Sequence, residues 1–166
     1  MRTLELYHGG EHPVRMPQIV SPRLNRLLDF GQGFYTTTSC EQANRWVGVR
    51  IKQRAYEQGC VSRYVCDLDV VDRLKVCHFH SADEAWFQFV MENRHSIHFA
   101  HDYDIVWGPV ANDNVYETLT LFEDGIINRA EAISRLRTYK LVDQVLFHTA
   151  QALESLRFLD YKEYVP

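Results

Sequence analysis

The sequence predicts an α+β fold in a single domain, and three observations lead to that prediction. The chain has 166 residues, which is the usual size of one domain. Short β-branched and aromatic runs, typical of strands, are intermixed with amphipathic helical patterns along the chain. No repeat, linker or low-complexity segment divides it, and no regular βαβ phosphate fingerprint occurs. We therefore expect one domain over residues 1–166.

Seven strands and four helices are predicted from the hydrophobic patterns. The strand at 74–79 is expected to neighbour the strand at 61–68, and residues 113–123 are ambiguous between helix and strand. The predicted strands are 4–9, 34–38, 61–68, 74–79, 104–107, 145–147 and 158–164, and the predicted helices are 39–58, 81–94, 129–139 and 150–156.

Short polar side chains mark the expected starts of helices, because they accept hydrogen bonds from free backbone N–H groups. Ser81, with Glu84 three residues later, has the form of a capping box. Gly59 is expected to end the first helix. The segment 11–28 carries three prolines, which resist regular structure, so we expect it to wrap the surface. The expected N-caps are Ser39, Ser81, Asn128 and Thr149, together with Asn112 or Asp113.

The composition provides no general basic field for nucleic acid. The formal net charge is −4, whereas nucleic-acid-binding domains usually carry a basic surface. Arg accounts for 14 of the 18 basic residues, and Arg suits anion contacts and ring stacking better than Lys does. This bias is compatible with a phosphate-bearing ligand without requiring one.

The four cysteines contain no CxxC pair, which argues against a zinc ribbon. The chain opens with a strand pattern rather than with the apolar segment of a signal peptide. We therefore expect reduced thiols and a cytoplasmic protein. No apolar run approaches the roughly 18 residues that a transmembrane helix needs, so we expect no membrane partner.

The stretch Gly31-Gln32-Gly33 is the centre of the functional argument. Glycine allows positive φ angles and a close approach of backbone, which a Cβ atom forbids. Phe34-Tyr35 then opens a β-branched strand. The stretch suits either a turn before a core strand or the wall of a small-molecule pocket in which Tyr35 offers a flat ring. The third glycine of a dinucleotide turn is absent, so the Rossmann signal is weak.

Histidines and a later strand start provide further candidates. His8 ends the first strand, either as a satisfied surface residue or as a hydrogen-bond donor to a ligand hydroxyl. The histidines at 95, 98 and 101 lack a clear helix or carboxylate partner, so we predict a solvated connection and no metal site. Strand alternation places Asp143 with Val145 on one face and Gln144 on the other, where either polar group can point into a cleft.

Together these pieces resemble ADP-ribosyltransferases of the His-Tyr-Glu branch, which includes diphtheria toxin and the poly-ADP-ribose polymerases. The closer resemblance is to DUF3990, an uncharacterised bacterial family of ADP-ribosyltransferase-like proteins. It covers nearly the whole chain, and the composite is specific although each short piece is not. The pattern is carried by Tyr7-His8-Gly9, Asp29 to Tyr35, Gln42-Ala43 with Trp46, Tyr103 to Val106, Gly108 to Ala111, and Gln144 with Phe147-His148-Thr149.

The resemblance implies an ADP-ribosyltransferase-like split β-sheet with flanking helices, which holds NAD as co-substrate and needs no metal. It implies that His8 hydrogen-bonds a ribose hydroxyl, that Gly9 presents backbone groups to the nicotinamide amide, and that Tyr35 stacks on the nicotinamide ring. The implied NAD-binding residues are Tyr7, His8, Gly9, Gly33, Phe34, Tyr35, Thr36 and Gln144, and the implied catalytic residues are His8, Tyr35, Gln144 and Asp143.

The third motif departs from the family pattern, because no Glu stands there. Alignment on the polymerase strand puts Asp143 in the Glu position, and alignment on the bacterial family puts Gln144 there, which we prefer. A neutral Gln favours mono-transfer, slow NAD cleavage or binding without turnover over polymer growth.

We therefore predict a mono-ADP-ribosyltransferase that uses NAD and modifies a macromolecular acceptor, either protein or nucleic acid. The resemblance suggests a bacterial toxin or an effector of defence against phage. One alternative is a non-catalytic module that binds NAD or ADP-ribose, and another is a plain interaction domain with a degenerate cleft.

Overall fold

The computed structural model describes residues 1–19, 28–96, 98–109 and 113–166. Within these ranges a seven-stranded sheet carries helices on both faces, and strands and helices alternate irregularly along the chain. This architecture agrees with the α+β prediction. The strands are β1 (Thr3–Gly10), β2 (Phe34–Thr37), β3 (Cys60–Asp67), β4 (Val76–His78), β5 (Ile105–Pro109), β6 (Asp143–Phe147) and β7 (Leu156–Glu163), and the helices are α1 (Cys40–Lys52), α2 (Leu68–Val71), α3 (Glu84–His95), α4 (Asp113–Glu123), α5 (Arg129–Leu136) and α6 (Ala150–Leu153).

The sheet has the strand order β4-β5-β6-β2-β1-β3-β7. All neighbouring strands are antiparallel except β4 and β5, which are parallel. The three central strands come from distant parts of the chain: the Thr36 hydroxyl on β2 donates to the Val145 carbonyl oxygen on β6, 109 residues later. Long-range pairing therefore builds the middle of the sheet.

The sheet is weakly joined between β1 and β2. These strands share one register pair, Tyr7 opposite Thr37, whereas β1 and β3 share eight pairs. On its other side, β2 makes four pairs with β6. The sheet therefore consists of two well-paired parts, β4-β5-β6-β2 and β1-β3-β7, and we call the junction of β1 with β2 the seam.

The two faces of the sheet are covered by different helices. Helix α1 packs on β1 and β3 through Ala43 and Val47. Helices α3, α4 and α5 cover the same face farther along, where Leu146 is buried, and α2 and α6 lie on the opposite face. Side chains alternate between the faces along each strand. The His8 face is defined by Leu6, His8, Phe34, Val145 and Phe147, and the Tyr35 face by Tyr7, Gly9, Tyr35, Gln144 and Leu146.

Three of the expected N-caps are confirmed. The side chains of Ser39, Asn128 and Thr149 accept hydrogen bonds from backbone N–H groups in the first turns of α1, α5 and α6. The residue type at each position supplies the oxygen that the free N–H groups of a helix start require. These local predictions succeed because donor and acceptor are only three residues apart.

The predicted N-cap at Ser81 is wrong. The carboxylate of Asp83 accepts a hydrogen bond from the backbone N–H of Trp86 at 3.0 Å, so α3 begins two residues later than expected. A carboxylate here also interacts favourably with the positive end of the helix dipole. Trp86, in the first turn of α3, is fully buried.

The first predicted helix is too long, and Gly59 does not end it. Helix α1 ends at Lys52 with Gln53 as its C-cap. Arg54 then adopts a φ angle of 55°, in the left-handed region. A left-handed residue just past the end is a common way for a helix to stop, although glycine is the usual residue there.

The predicted neighbour of the 74–79 strand is wrong. Strand β4 pairs in parallel with β5, near the opposite edge of the sheet from β3. The Lys75 carbonyl oxygen accepts hydrogen bonds from the N–H groups of Asp104 and Ile105, which begins this pairing. The hydrophobic pattern identifies a strand but carries no information about its partner.

The ambiguous segment 113–123 is helix α4. Strand β5 continues through Gly108 and Pro109, past the last pair with β4, so the predicted end before Gly108 is wrong. The expected cap at Asn112 or Asp113 lies outside the described residues and side chains, as do residues 20–27 of the proline-containing segment.

Candidate functional site

The predicted motif segments lie on three adjacent strands. His8 is on β1, Tyr35 is on β2 and Asp143-Gln144 is on β6, and these strands are neighbours in the order β6-β2-β1. Across them, Gln144 lies opposite Thr37, which lies opposite Tyr7. The fold thus gathers segments from both ends of the chain around the seam.

His8 bridges the seam. Its Nδ1 lies 2.7 Å from the carbonyl oxygen of Tyr35, and its ring stacks on Phe34 with centroids 4.6 Å apart. Because a carbonyl oxygen accepts, Nδ1 carries the proton, and Nε2 of the neutral ring is a hydrogen-bond acceptor. Burial lowers the pKa of His8, which favours this neutral form. The structure therefore suits His8 to accept a hydrogen bond from a ligand hydroxyl rather than to donate one.

Tyr35 lies on the other face of the sheet and closes its own glycine stretch. Its hydroxyl donates to the carbonyl oxygen of Gly31 at 2.7 Å and accepts from the N–H of Phe30 at 3.3 Å. The ring is partly buried against the core under α3. His8 and Tyr35 are therefore linked by the hydrogen bond between the His8 ring and the Tyr35 carbonyl oxygen. Their two side-chain rings point to opposite faces of the sheet.

The glycine stretch shows both features that the sequence suggested, a positive φ angle and a close approach of backbone. Gly31 has a φ angle of 84°, in the left-handed region. A Cβ atom on Gly33 would lie 2.4 Å from the carbonyl oxygen of Phe147, so the absence of a side chain allows close approach to β6. His148 Nδ1 lies 2.7 Å from the carbonyl oxygen of Gln32. Two imidazoles, those of His8 and His148, thus hold the backbone on either side of Gly33.

Gln144 is buried on the Tyr35 face. Only 6% of its surface is exposed, and it lies between Thr37 on β2 and Gly108 on β5. Its carboxamide is not among the buried side-chain groups that lack a hydrogen-bond partner in the described residues. A carboxamide can both donate and accept hydrogen bonds, so a side chain of this type suits contact with a polar ligand.

Asp143 is on the His8 face and already has a partner. One carboxylate oxygen accepts a hydrogen bond from the indole N–H of Trp107 at 2.9 Å. The Trp107 ring in turn stacks on His78, with centroids 4.6 Å apart. Asp143 therefore shares a face with His8, whereas Gln144 shares a face with Tyr35, and the two alignments of the third motif correspond to opposite sides of the sheet.

The other predicted NAD contacts are engaged in the fold. Tyr7 donates its hydroxyl to Glu5 at 2.7 Å, which raises its pKa to about 12. Gly9 lies directly under α1, where a Cβ atom would be 2.6 Å from the Ala43 carbonyl oxygen. Phe34 and Thr36 are both buried, and the Thr36 hydroxyl is bonded to β6. The side chains of Tyr7 and Thr36 are therefore already hydrogen-bonded within the protein.

A family comparison supplies one match. The family described as protein of unknown function (DUF3990) matches residues 4–158. The chain belongs to DUF3990. Comparisons with curated proteins and with solved structures found no match. The matched range contains every segment around the seam, from β1 through β6, so the gathered motif segments are features of a DUF3990 domain.

His148 is a site residue that the sequence reasoning left without a role. It belongs to the segment that carries the DUF3990 resemblance, directly after β6, and that position was the available signal. Its bond to the Gln32 carbonyl oxygen joins segments 116 residues apart. Only the pairing of β2 with β6, which no local pattern encodes, brings the two together.

The described part of this DUF3990 chain contains no group of three or more His, Cys, Asp or Glu side chains arranged to hold a metal ion. Within the same residues, no helix is long and apolar enough to cross a membrane. His95 contacts Glu123 at 3.1 Å, whereas His101 stands beside His148 with ring centroids 4.4 Å apart. The predicted connection histidines therefore have different surroundings.

Acid is expected to destabilise the fold through His148. Burial, reinforced by His101, lowers the pKa of His148 from 6.5 to about 4. As pH falls between these values the unfolded chain takes up a proton and the folded chain does not, so the free energy of unfolding decreases. Allowing for partial exposure, we expect a loss on the order of 1 kcal/mol from this residue.

His148→Asn isolates this contribution, because the Asn amide N–H still reaches the position of Nδ1 while the titrating ring is removed. Urea unfolding of both proteins at several pH values is the measurement. We expect a shallower pH dependence for the variant, and equal slopes would show that His148 does not titrate as described.

Proposed function

We propose that this protein is an NAD-dependent mono-ADP-ribosyltransferase. It would cleave the bond between nicotinamide and ribose and transfer ADP-ribose to a macromolecular acceptor. The observation that carries the proposal is the seam: segments 7–9, 31–37 and 143–147, which resemble the three motifs of these enzymes, lie on adjacent strands where the sheet is weakly joined. DUF3990 is described as a family of unknown function, so the proposal rests on the motif resemblance and on the position of these segments.

The chemistry of the proposed reaction suits the groups present. Loss of nicotinamide leaves positive charge on the ribose, as in glycoside cleavage. In our proposal the neutral His8 ring accepts a hydrogen bond from a ribose hydroxyl through Nε2, and Gly9 offers backbone groups. The resemblance gives Tyr35 a stacking contact with the nicotinamide, of about 1 kcal/mol. Because the Tyr35 ring lies on the face opposite His8, this contact requires the seam to open and the Tyr35 hydroxyl to leave the Gly31 carbonyl oxygen.

The residue at the third-motif position determines how strongly the positive charge that develops on the ribose is stabilised. Gln144 offers a buried carboxamide but no charge. Asp143 offers a negative charge on the face of His8, with one oxygen held by Trp107. We assign the position to Gln144, with Asp143 as the competing residue, and infer slow turnover that ends after one transfer.

A second candidate function is a binding module for NAD or ADP-ribose without turnover. The observation that favours it is the same neutral Gln144, because a carboxylate that stabilises developing positive charge is a large part of such catalysis. The acceptor of the transferase would be a protein or a nucleic acid. A role as a bacterial toxin or phage-defence effector in the cytoplasm belongs to the same proposal.

Nicotinamide release from NAD by the purified protein tests the proposed function. Gln144→Ala is expected to reduce release about tenfold or more, since one transition-state hydrogen bond is lost. Asp143→Asn, which still accepts from Trp107, is expected to stay within about twofold of wild type. Gln151→Ala, on the exposed side of α6, is the matched control and should leave release unchanged.

A large loss of nicotinamide release in Asp143→Asn, with little change in Gln144→Ala, would assign the third-motif position to Asp143. NAD binding without release from wild-type protein would support the binding module instead. Absence of both binding and release would contradict both candidate functions.

A further inference from the structure

A cavity of about 360 Å³ lies beside the glycine stretch, at the end of the sheet where β2 begins and β6 ends. This volume is in the range of small-molecule sites. Its wall combines aromatic rings with polar groups, and it includes Gly31 and Gln32 of the glycine stretch but none of the residues proposed to contact NAD. The residues that matter here are Gln32, Asn93, Phe99, His101, Tyr103 and His148.

His148 contributes a hydrogen-bond acceptor of fixed orientation to this wall. Because Nδ1 donates to the Gln32 carbonyl oxygen, the lone pair is on Nε2. Nε2 is buried and has no hydrogen-bond partner among the described residues. A buried acceptor without a partner is uncommon in folded proteins and often marks a functional position.

His101 contributes the complementary donor. The backbone N–H of Tyr103 donates to His101 Nδ1 at 3.2 Å, so the proton of the neutral ring is on Nε2. The two rings are nearly perpendicular, with centroids 4.4 Å apart, and the two Nε2 atoms do not bond to each other. A protonated Nε2 on His101 also disfavours a metal ion, which would need that lone pair.

We propose that this cavity binds a flat cyclic amide, such as a pyrimidine or purine base with adjacent N–H and C=O groups. The ligand N–H donates to His148 Nε2, and its C=O accepts from His101 Nε2–H. Because His148 Nε2 is buried and the His101 ring lies 4.4 Å from the His148 ring, the proposed complex requires the His101 ring to rotate. Phe99 and Tyr103 provide aromatic surface for the ring. This site is independent of the proposed NAD reaction.

Uracil and hypoxanthine are suitable probes, titrated into the full-length protein without NAD while the His148 ring nitrogen signals are followed by NMR. We expect saturable binding of at least one base, with a shift of His148 Nε2. N,N′-dimethyluracil keeps the ring but lacks the N–H, so it should bind at least about tenfold more weakly than uracil.

Two variants test the site itself. His148→Asn keeps the bond to Gln32 and removes the acceptor, so base binding should fall at least about tenfold. Ala100→Phe places a large ring at the cavity wall without replacing either imidazole, and it should weaken binding at least about tenfold. Equal affinity for uracil and its dimethyl derivative, unchanged binding by either variant, or no binding of both bases up to about 10 mM overturns the proposal.

Discussion

Gly33→Ala is expected to lower the free energy of unfolding by about 2–4 kcal/mol. The new Cβ atom would lie 2.4 Å from the Phe147 carbonyl oxygen and 3.0 Å from a Leu146 methyl carbon. The oxygen belongs to the backbone of a central strand, so it cannot move without disturbing the β2–β6 pairing. Urea unfolding followed by circular dichroism gives the free energy directly.

Gly125→Ala is the matched control for this substitution. Gly125 has a φ angle of 71°, and a Cβ atom there would meet nothing within 4 Å. Only the left-handed backbone cost remains, about 1 kcal/mol. Similar losses for both variants would contradict the close approach of Gly33 to β6 and point to a backbone effect alone.

His8→Asn is expected to reduce nicotinamide release about a hundredfold while leaving the fold intact, if the proposed function holds. The Asn amide N–H occupies the position of Nδ1 and can still donate to the Tyr35 carbonyl oxygen, so the seam stays bridged. The acceptor at Nε2, which we assign to a ribose hydroxyl, is removed. Release and unfolding are measured on the same preparations.

His98→Asn is the control, because His98 is exposed on a surface turn. His8→Gln adds a second comparison, since its longer side chain restores a polar atom near Nε2 but loses the bridge to Tyr35. Recovery of release in His8→Gln with lower stability would separate the two functions of the imidazole. Full activity in His8→Asn would remove His8 from the proposed site.

The sequence located the candidate segments but not their orientation. Residue types and motif resemblance select His8, Tyr35 and the Asp143-Gln144 pair, and the fold places all of them on adjacent strands. The face on which each of these side chains lies follows from the register of its strand, and the register depends on which strands pair. From the sequence alone, Asp143 and Gln144 are two adjacent candidates for the third-motif position. The strand pairing shows that their side chains lie on opposite faces of the sheet.

The role of the glycines shows how far local reasoning extends. A positive φ at Gly31 is a property of a few residues, and the sequence indicates it because few other residues adopt that conformation. The contact of Gly33 with Phe147 involves a strand more than 100 residues away along the chain. The sequence can state that a close approach is allowed there, but not which segment approaches.

Local chemistry in the sequence determined where most strands run, which side chains cap α1, α5 and α6, and which stretch needs glycine. These features depend on steric limits and hydrogen bonds within a few residues. Only the tertiary structure decided the partner of β4, the single pair that joins β1 to β2, and the contact of His148 with Gln32. These depend on pairing between distant segments, and such pairing follows from the packing of the whole chain rather than from any one stretch of it.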